Sequence, residues 1–108
     1  MDKNEKLILG DIYFVPKEYF INKSVGKLKQ QIESFAEVRK DGMVMCAVIE
    51  EMNSIFPHKS EYTIAIKPQR FAPPIRAYVN KDDDFECFKH LSDEEMKVSG
   101  LLWYYFGI

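Results

Sequence analysis

The strongest constraint on the fold is a short stretch, residues 62–66, in which large apolar side chains alternate with smaller ones. Tyr62, Ile64 and Ile66 occupy every second position, and Pro68 follows shortly afterwards. Because successive side chains of a strand point to opposite faces, this alternation predicts a half-buried β-strand. Pro68 has no backbone N–H, so we expect the strand to end before it. The chain must therefore build a sheet.

A different pattern, running from Ser24 to Gly42, is typical of an amphipathic helix. Ser24 can cap the first turn, and Gly42 can supply the left-handed residue that ends the helix. Apolar residues recur at steps of three and four between charged and amide side chains; they are Val25, Leu28, Ile32 and Phe35, followed by Val38 or Arg39. This spacing predicts a helix with one buried face.

Residues 43–56 fit two structures. Residues 43–49 are a continuous apolar run that could form a buried strand. However, four apolar residues are also spaced as on one face of a helix; they are Val48, Met52, Ile55 and Phe56. We favour a second helix, capped by Asp41 and ended before Pro57.

Three further strands complete the predicted sheet. The first runs from Lys6 to Val15 and is bent or bulged at Gly10. The others are Ile75 to Val79 and Phe85 to Lys89, joined by a turn over residues 80–84. Asn80, Lys81 and three aspartates fill that turn, as expected for a solvent-exposed connection.

The end of the sequence predicts another helix. Ser92 and Glu95 form a capping box, and Asp93 and Glu94 place negative charge at the positive end of the helix dipole. Residues 101–108 are a block of large apolar side chains, which must be buried. We expect this helix to close the core of its own domain, with a homodimer through the same segment as the alternative.

The element order predicted is β-α-α-β-β-β-α. It corresponds to an α+β fold in which a small antiparallel sheet of about four strands packs with about three helices. Residues 1–108 contain no repeat or Gly/Ser linker, so we expect a single globular domain.

Several features favour a cytoplasmic protein without a membrane partner. No apolar run approaches the roughly 18 residues of a membrane span, and the start lacks the pattern of a signal peptide. The two cysteines, Cys46 and Cys87, sit among apolar neighbours and are too few for a disulfide framework. We expect both to be reduced.

The net charge of −2 conceals a segregation of charges along the chain. Residues 58–81 carry five cations and one acid, whereas residues 82–95 carry one cation and seven acids. The acids are Asp82, Asp83, Asp84, Glu86, Asp93, Glu94 and Glu95.

No motif in the sequence indicates catalysis or cofactor binding. Cys87 and His90 have the spacing of half a zinc site, but no second pair of ligands follows, so we predict no metal and no cofactor. His58 and His90 are expected to be surface histidines without a catalytic motif. Phosphate-binding loops and nucleophile elbows are also absent.

These observations favour a non-enzymatic protein-binding domain with a basic protein partner. We expect the acids to steer association and the two phenylalanines among them to act as anchors. The predicted partner-binding residues are Asp82, Asp83, Asp84, Phe85, Glu86, Phe88, Asp93 and Glu94. The specific hypothesis is an acidic inhibitor of a toxin or nuclease, of the immunity or antitoxin type.

The alternative is a nucleic-acid-binding protein or ribonuclease-type toxin that uses a basic and aromatic face around Lys67 to Arg76. Cations could contact phosphates there, and aromatic rings could stack on bases. The sequence pI near 5.7 opposes this alternative. Gly10 to Tyr13 resembles the first strand of MazF-type ribonuclease toxins, but the Gly/Arg/Pro-rich stretch that follows in that family is absent. The resemblance therefore implies no activity for this chain.

Overall fold

The computed structural model describes residues 6–55, 60–69 and 73–91. Over these residues the chain forms two helices and five strands. In chain order they are β1 (Ile12–Pro16), α1 (Lys17–Lys23), α2 (Gly26–Phe35), β2 (Met43–Met52), β3 (Glu61–Ile66), β4 (Ile75–Asn80) and β5 (Lys89–His90).

The five strands form one sheet in the order β4-β3-β2-β1-β5, and every neighbouring pair is antiparallel. Ile12 lies opposite Ala47, and Ala47 lies opposite Ala65, so these three residues share one face. The register shifts by one residue between Val48 and Glu50, which marks a β-bulge near the end of β2.

The helices cover the other face and enclose the main core. Phe20 from α1 and Ile32 from α2 pack against side chains from β1, β2, β3 and β4. The β3 residues of this core are Tyr62, Ile64 and Ile66. The predicted strand over residues 62–66 is therefore confirmed, but it is buried on both faces rather than half-buried, because Thr63 and Ala65 are also buried.

A smaller apolar cluster lies on the opposite face. Its buried members are Ile12, Phe14, Ala47, Ala65 and Leu91. The guanidinium of Arg39 lies 4.0 Å from the centre of the Phe14 ring, a cation–π contact at the rim of this cluster. Leu91 thus connects β5 to this second face.

The predicted second helix over residues 43–56 is wrong, because residues 43–52 form the central strand β2. This strand pairs with β1 on one side and β3 on the other. Its middle residues, Val44 and Cys46 to Val48, are buried, as expected for a strand enclosed on both faces. The continuous apolar run was the informative signal, since a strand buried on both faces needs no alternation.

The predicted helix from Ser24 to Gly42 is too long. Helix α2 ends at Phe35, and Ser24 lies at the C-terminal end of a helix that the sequence analysis missed, α1. Gly42 does adopt a left-handed conformation, with φ of 81°, but it does so in the turn that enters β2. There the Gly42 N–H bonds to the Arg39 carbonyl, and the Lys17 N–H bonds to the Gly42 carbonyl.

Two predicted strands are shorter than expected. The first begins at Ile12 because residues 9 and 10 form a turn, in which Gly10 has φ of 90°. The last consists of Lys89 and His90 alone, since residues 85–88 are turns and loop. The predicted strand at residues 75–79 is confirmed as β4.

The α+β class and the antiparallel sheet are confirmed, with five strands rather than about four. The described order is β-α-α-β-β-β-β. The predicted C-terminal helix, with Ser92, Asp93, Glu94 and the apolar block, lies outside the described residues.

Candidate functional site

The acidic turn, defined here as residues 82–86, directly follows β4 and is built from local side chain to backbone bonds. The Asp82 N–H donates to Oδ1 of Asn80 at 2.7 Å, and the Glu86 N–H donates to Oδ1 of Asp84 at 2.9 Å. These are Asx turns, in which a short side-chain oxygen replaces a backbone acceptor. The sequence Asn-Lys-Asp-Asp-Asp therefore specifies a turn with a defined backbone.

Asp83 is held from two sides by residues of α1. Its Oδ2 accepts a hydrogen bond of 2.8 Å from the Tyr19 hydroxyl and forms an ion pair of 2.7 Å with the Lys23 ammonium. Burial acts to raise the pKa of Asp83, but the bonds from Lys23 and Tyr19 outweigh it and hold this pKa below its usual value. Asp83 is thus an ionised tether between the acidic turn and α1.

Tyr19 is itself fixed by aromatic contacts. Its ring meets Phe20 and Phe88 edge to face, with centroid distances of 5.2 and 5.0 Å. The ammonium of Lys23 lies 5.0 Å from the Tyr19 ring centre. Burial, and then the hydrogen bond to Asp83, raise the pKa of Tyr19 well above its usual value, so the hydroxyl is a permanent donor.

The other three carboxylates of the acidic turn point to solvent. Asp82, Asp84 and Glu86 are exposed, and within the described parts of the chain none of them takes part in a salt bridge. An open depression of about 480 Å³ lies beside them, lined by Tyr19, Lys23, Asp83, Asp84, Glu86 and Cys87. One carboxylate therefore anchors the turn, while three present negative charge to solvent.

The structure places the two predicted anchors elsewhere. Phe85 and Phe88 are 1% and 4% exposed and belong to the main core. Their rings contact each other at 5.2 Å, and Phe85 also meets Tyr62 at 5.9 Å. Since neither ring reaches the surface, we no longer assign them a partner contact, and they act as the internal support of the acidic turn. Asp93 and Glu94 lie outside the described residues.

Tyr19 and Lys23 are the residues of this site that sequence reasoning missed. They lie four positions apart on α1 and so share one face of that helix. The segment is only seven residues long, which is too short for a clear helical period. Their i, i+4 spacing was the one available signal.

Neither cysteine has the properties of a nucleophile. Cys46 is fully buried in β2, and burial raises the pKa of its thiol. Cys87 is exposed at the acidic turn, where desolvation and the carboxylates of Asp84 and Asp83 raise its pKa. Both effects reduce the thiolate fraction at neutral pH, which is the opposite of catalytic activation.

His90 forms a surface pair that the sequence did not indicate. Its Nε2 lies 2.6 Å from Oδ2 of Asp11, and its ring stacks on Tyr13 at 4.9 Å. These contacts tie the short strand β5 to the start of β1 across a separation of 79 residues. His58 lies outside the described residues.

Two lysines of the basic segment are paired with acids among the described residues. Lys67 contacts Glu37, and Lys81, which is 9% exposed, bonds to Glu51 at 2.7 Å. Tyr62 is buried and has no face open to a base. Arg76 and Tyr78 remain exposed on β4, while Arg70 and Phe71 lie outside the described residues.

Comparison with known proteins gives no match: no protein-family model, curated protein or solved structure matches the chain. Within residues 6–55, 60–69 and 73–91, no group of three or more His, Cys, Asp or Glu side chains is placed to hold a metal ion. No helix in the same ranges is both long and apolar enough to cross a membrane.

Proposed function

We propose that this chain is a protein-binding domain whose acidic turn docks a basic protein partner. The observation that supports the proposal is that the four carboxylates of the acidic turn have different surroundings. Asp83 is bonded to α1, whereas Asp82, Asp84 and Glu86 are exposed and carry no ion pair with the rest of the described chain. The turn therefore presents an ordered group of unneutralised charges.

This arrangement favours binding because the acidic turn is already ordered in the folded protein. A preorganised surface loses less conformational entropy on association than a mobile loop does. Negative charges presented together also steer a cationic partner and raise its association rate. The depression beside the turn can accept one side chain, and a Lys or Arg of the partner fits its carboxylate rim.

The specific form of this proposal is an inhibitor of a toxin or nuclease. Such targets have cationic clefts that bind a polyanion, and an acidic turn can occupy the same cleft. The pKa values of the Cys46 and Cys87 thiols are raised, which disfavours nucleophilic catalysis. Phe85 and Phe88 lie in the core beneath the acidic turn. Blocking a cleft requires only the exposed carboxylates of that turn.

The decisive experiment compares two variants with equal loss of charge. The test variant carries Asp82→Asn, Asp84→Asn and Glu86→Gln; Asn at position 84 keeps the oxygen that accepts the Glu86 N–H. The control carries Glu18→Gln, Glu33→Gln and Glu50→Gln, three exposed acids on other elements. Each protein is used to capture partners from the native lysate, and the partner is then purified.

With the purified partner, we expect the association rate of the test variant to fall by at least about tenfold at low salt. The rate should also become less dependent on salt concentration, whereas the control should behave like the wild type. Equal association rates for the test variant and the wild type would contradict the proposal. Inhibition is then scored by adding the domain to the partner's own reaction.

The nucleic-acid alternative rests on Arg76 and Tyr78, which alternate along β4 and are both exposed. A guanidinium and an aromatic ring on one face can hold a phosphate and stack on a base. It predicts binding of single-stranded RNA at low salt that weakens in Arg76→Ala. If the protein does not shift the mobility of single-stranded RNA at low salt, the nucleic-acid alternative is contradicted.

A further inference from the structure

In the part of the chain that the structure describes, the outer side of β4 is a long unpaired edge of the sheet. Among the described residues β4 is the last strand of the sheet and pairs with β3 alone. It is six residues long and contains no proline. Natural sheets usually protect such an edge, because its free N–H and C=O groups can pair with another chain.

The hydrogen bonds identify which backbone groups of β4 point outward. The Lys81 N–H, one residue beyond β4, donates to the Ser60 carbonyl at 2.9 Å, so Lys81 faces β3. In an antiparallel pair alternate residues face opposite sides, so Ile75, Ala77 and Val79 also bond to β3. The N–H and C=O groups of Arg76 and Tyr78 therefore point away from the sheet.

The side chains of the same two residues are exposed. Tyr78 has 60% of its surface accessible, and Arg76 is exposed beside it on the same face of β4. On the other face, Ile75 and Val79 are buried in the main core. A strand added at this edge would meet outward backbone groups, one cation and one ring.

We propose that a second copy of this chain pairs with β4 through an antiparallel β4–β4 contact centred on Ala77. A twofold axis at Ala77 places Arg76 of each copy directly opposite Tyr78 of the other. Because both residues direct their N–H and C=O groups outward, each pair exchanges two backbone hydrogen bonds. The two five-stranded sheets then form one continuous sheet.

Side-chain chemistry favours this register over one centred on Arg76. An axis at Arg76 would place two guanidiniums opposite each other, which is unfavourable. An axis at Ala77 instead sets each guanidinium against the face of a tyrosine ring, a cation–π pair, and occurs twice per dimer. On the core side it sets Ile75 opposite Val79 of the second copy, so apolar contacts also match.

This pairing is compatible with the proposed function and independent of it. The acidic turn follows the end of β4, and the strands run antiparallel, so the two acidic turns lie at opposite ends of the contact. At about 3.4 Å per residue, the two Asn80 positions are separated by roughly 20 Å along the strands. Each copy keeps its acidic turn accessible.

The test is a measurement of mass in solution by light scattering and sedimentation over a range of concentrations. We expect the wild type to form dimers. Tyr78→Arg sets a second guanidinium opposite Arg76 at both positions, and we expect a roughly tenfold weaker dimer. Adding Arg76→Glu to that variant restores opposite charges in each pair and should recover the dimer.

A backbone variant tests the same contact without relying on charge. Tyr78→Pro removes an outward N–H that bonds to no other described residue of the same chain, so the edge strand can tolerate it while pairing is blocked. Tyr78→Ala is the control for loss of the ring, and circular dichroism reports whether each variant is folded. A wild type that is monomeric at all concentrations overturns the proposal. So does a dimer that Tyr78→Arg leaves unchanged, or a double variant that fails to recover it.

Discussion

The hydroxyl of Tyr19 donates a hydrogen bond of 2.8 Å to Oδ2 of Asp83, which joins helix α1 to the acidic turn across 64 residues of sequence. Lys23 pairs with the same carboxylate from the next turn of the helix. The face of α1 that carries Tyr19 and Lys23 thus holds in place a turn that is distant in sequence and whose backbone is set by local Asx bonds.

Tyr19→Phe should destabilise the protein by about 1–2 kcal/mol, because it removes a partly buried hydrogen bond to a charged acceptor. The ring contacts with Phe20 and Phe88 can remain. The free energy of unfolding is measured by urea titration. Tyr78→Phe, at an exposed tyrosine, is the matched control and should change it by less than about 0.5 kcal/mol. Equal effects of the two substitutions would show that the bond contributes nothing.

The stabilisation by Asp83 should depend on pH with a definite sign. Its pKa is lower in the folded state than the unfolded value of about 3.9, so the carboxylate contributes fully above that value. The contribution is lost as the pH falls through the lower, folded pKa. We therefore expect the difference in stability between wild type and Asp83→Asn to be constant near neutral pH and to shrink below about pH 4.

The matched control for this pH series is Asp82→Asn, which removes one charge from the same turn without breaking an ion pair. It should change the free energy of unfolding by less than about 0.5 kcal/mol at neutral pH. Urea unfolding at a series of pH values gives both curves. If the effect of Asp83→Asn instead grew on acidification, the direction of the pKa shift would be reversed.

The sequence predicted the sheet better than the helices. The strands at residues 62–66 and 75–79 both show local alternation in the sequence, which in β4 matches alternating burial and in β3 alternates larger with smaller buried side chains. Strand β2 was misassigned for a tertiary reason. Its apolar run lies between two neighbouring strands and is covered on both faces of the sheet. A strand in that position has no polar face, so its sequence does not show the two-residue alternation of apolar and polar side chains.

The position of the acidic turn was predicted from the sequence, but the attachment of Asp83 to α1 was not. Its acids and the preceding Asn80 are local signals for a turn, whereas the ion pair with Lys23 depends on how α1 packs on β1. The apolar character of Phe85 and Phe88 fits both an exposed anchor and a core residue. Only the position of the sheet beneath them distinguishes the two, since Phe85 reaches Tyr62 on β3.

Thiol reactivity should separate the two cysteines. We expect iodoacetamide to modify Cys87 alone in the folded protein, and more slowly than it modifies a free cysteine, since burial and nearby carboxylates raise the pKa of Cys87. The rate should continue to rise with pH above about 8.5, the usual pKa of a cysteine. Intact-mass measurement follows the reaction, and Cys87→Ser should abolish it.

Cys46 should react only after unfolding in urea, because its side chain is completely buried in the main core. Labelling of Cys46 in the native protein would indicate frequent opening of the central strand. Faster labelling of Cys87 than of free cysteine would mean an activated thiolate. That result would favour a catalytic role which the acidic surroundings argue against.

A substitution at Phe88 distinguishes a core residue from a residue that contacts a partner. Phe88 touches Tyr13, Tyr19, Phe20 and Phe85, with ring centroids 5.0 to 6.3 Å apart. Phe88→Ala should therefore lower the free energy of unfolding by about 3–5 kcal/mol, the cost of a large cavity in a packed core. For a domain stable by roughly 5–15 kcal/mol, this is a severe loss.

Phe35→Ala is the matched control, because Phe35 has 54% of its surface exposed and should cost less than about 1 kcal/mol. Calorimetry and urea titration measure both variants. A residue that anchors a partner would behave in the opposite way, losing binding while keeping the stability of the free protein. An unchanged free energy of unfolding for Phe88→Ala would therefore favour a role for Phe88 in binding a partner. A large decrease would assign Phe88 to the core beneath the acidic turn.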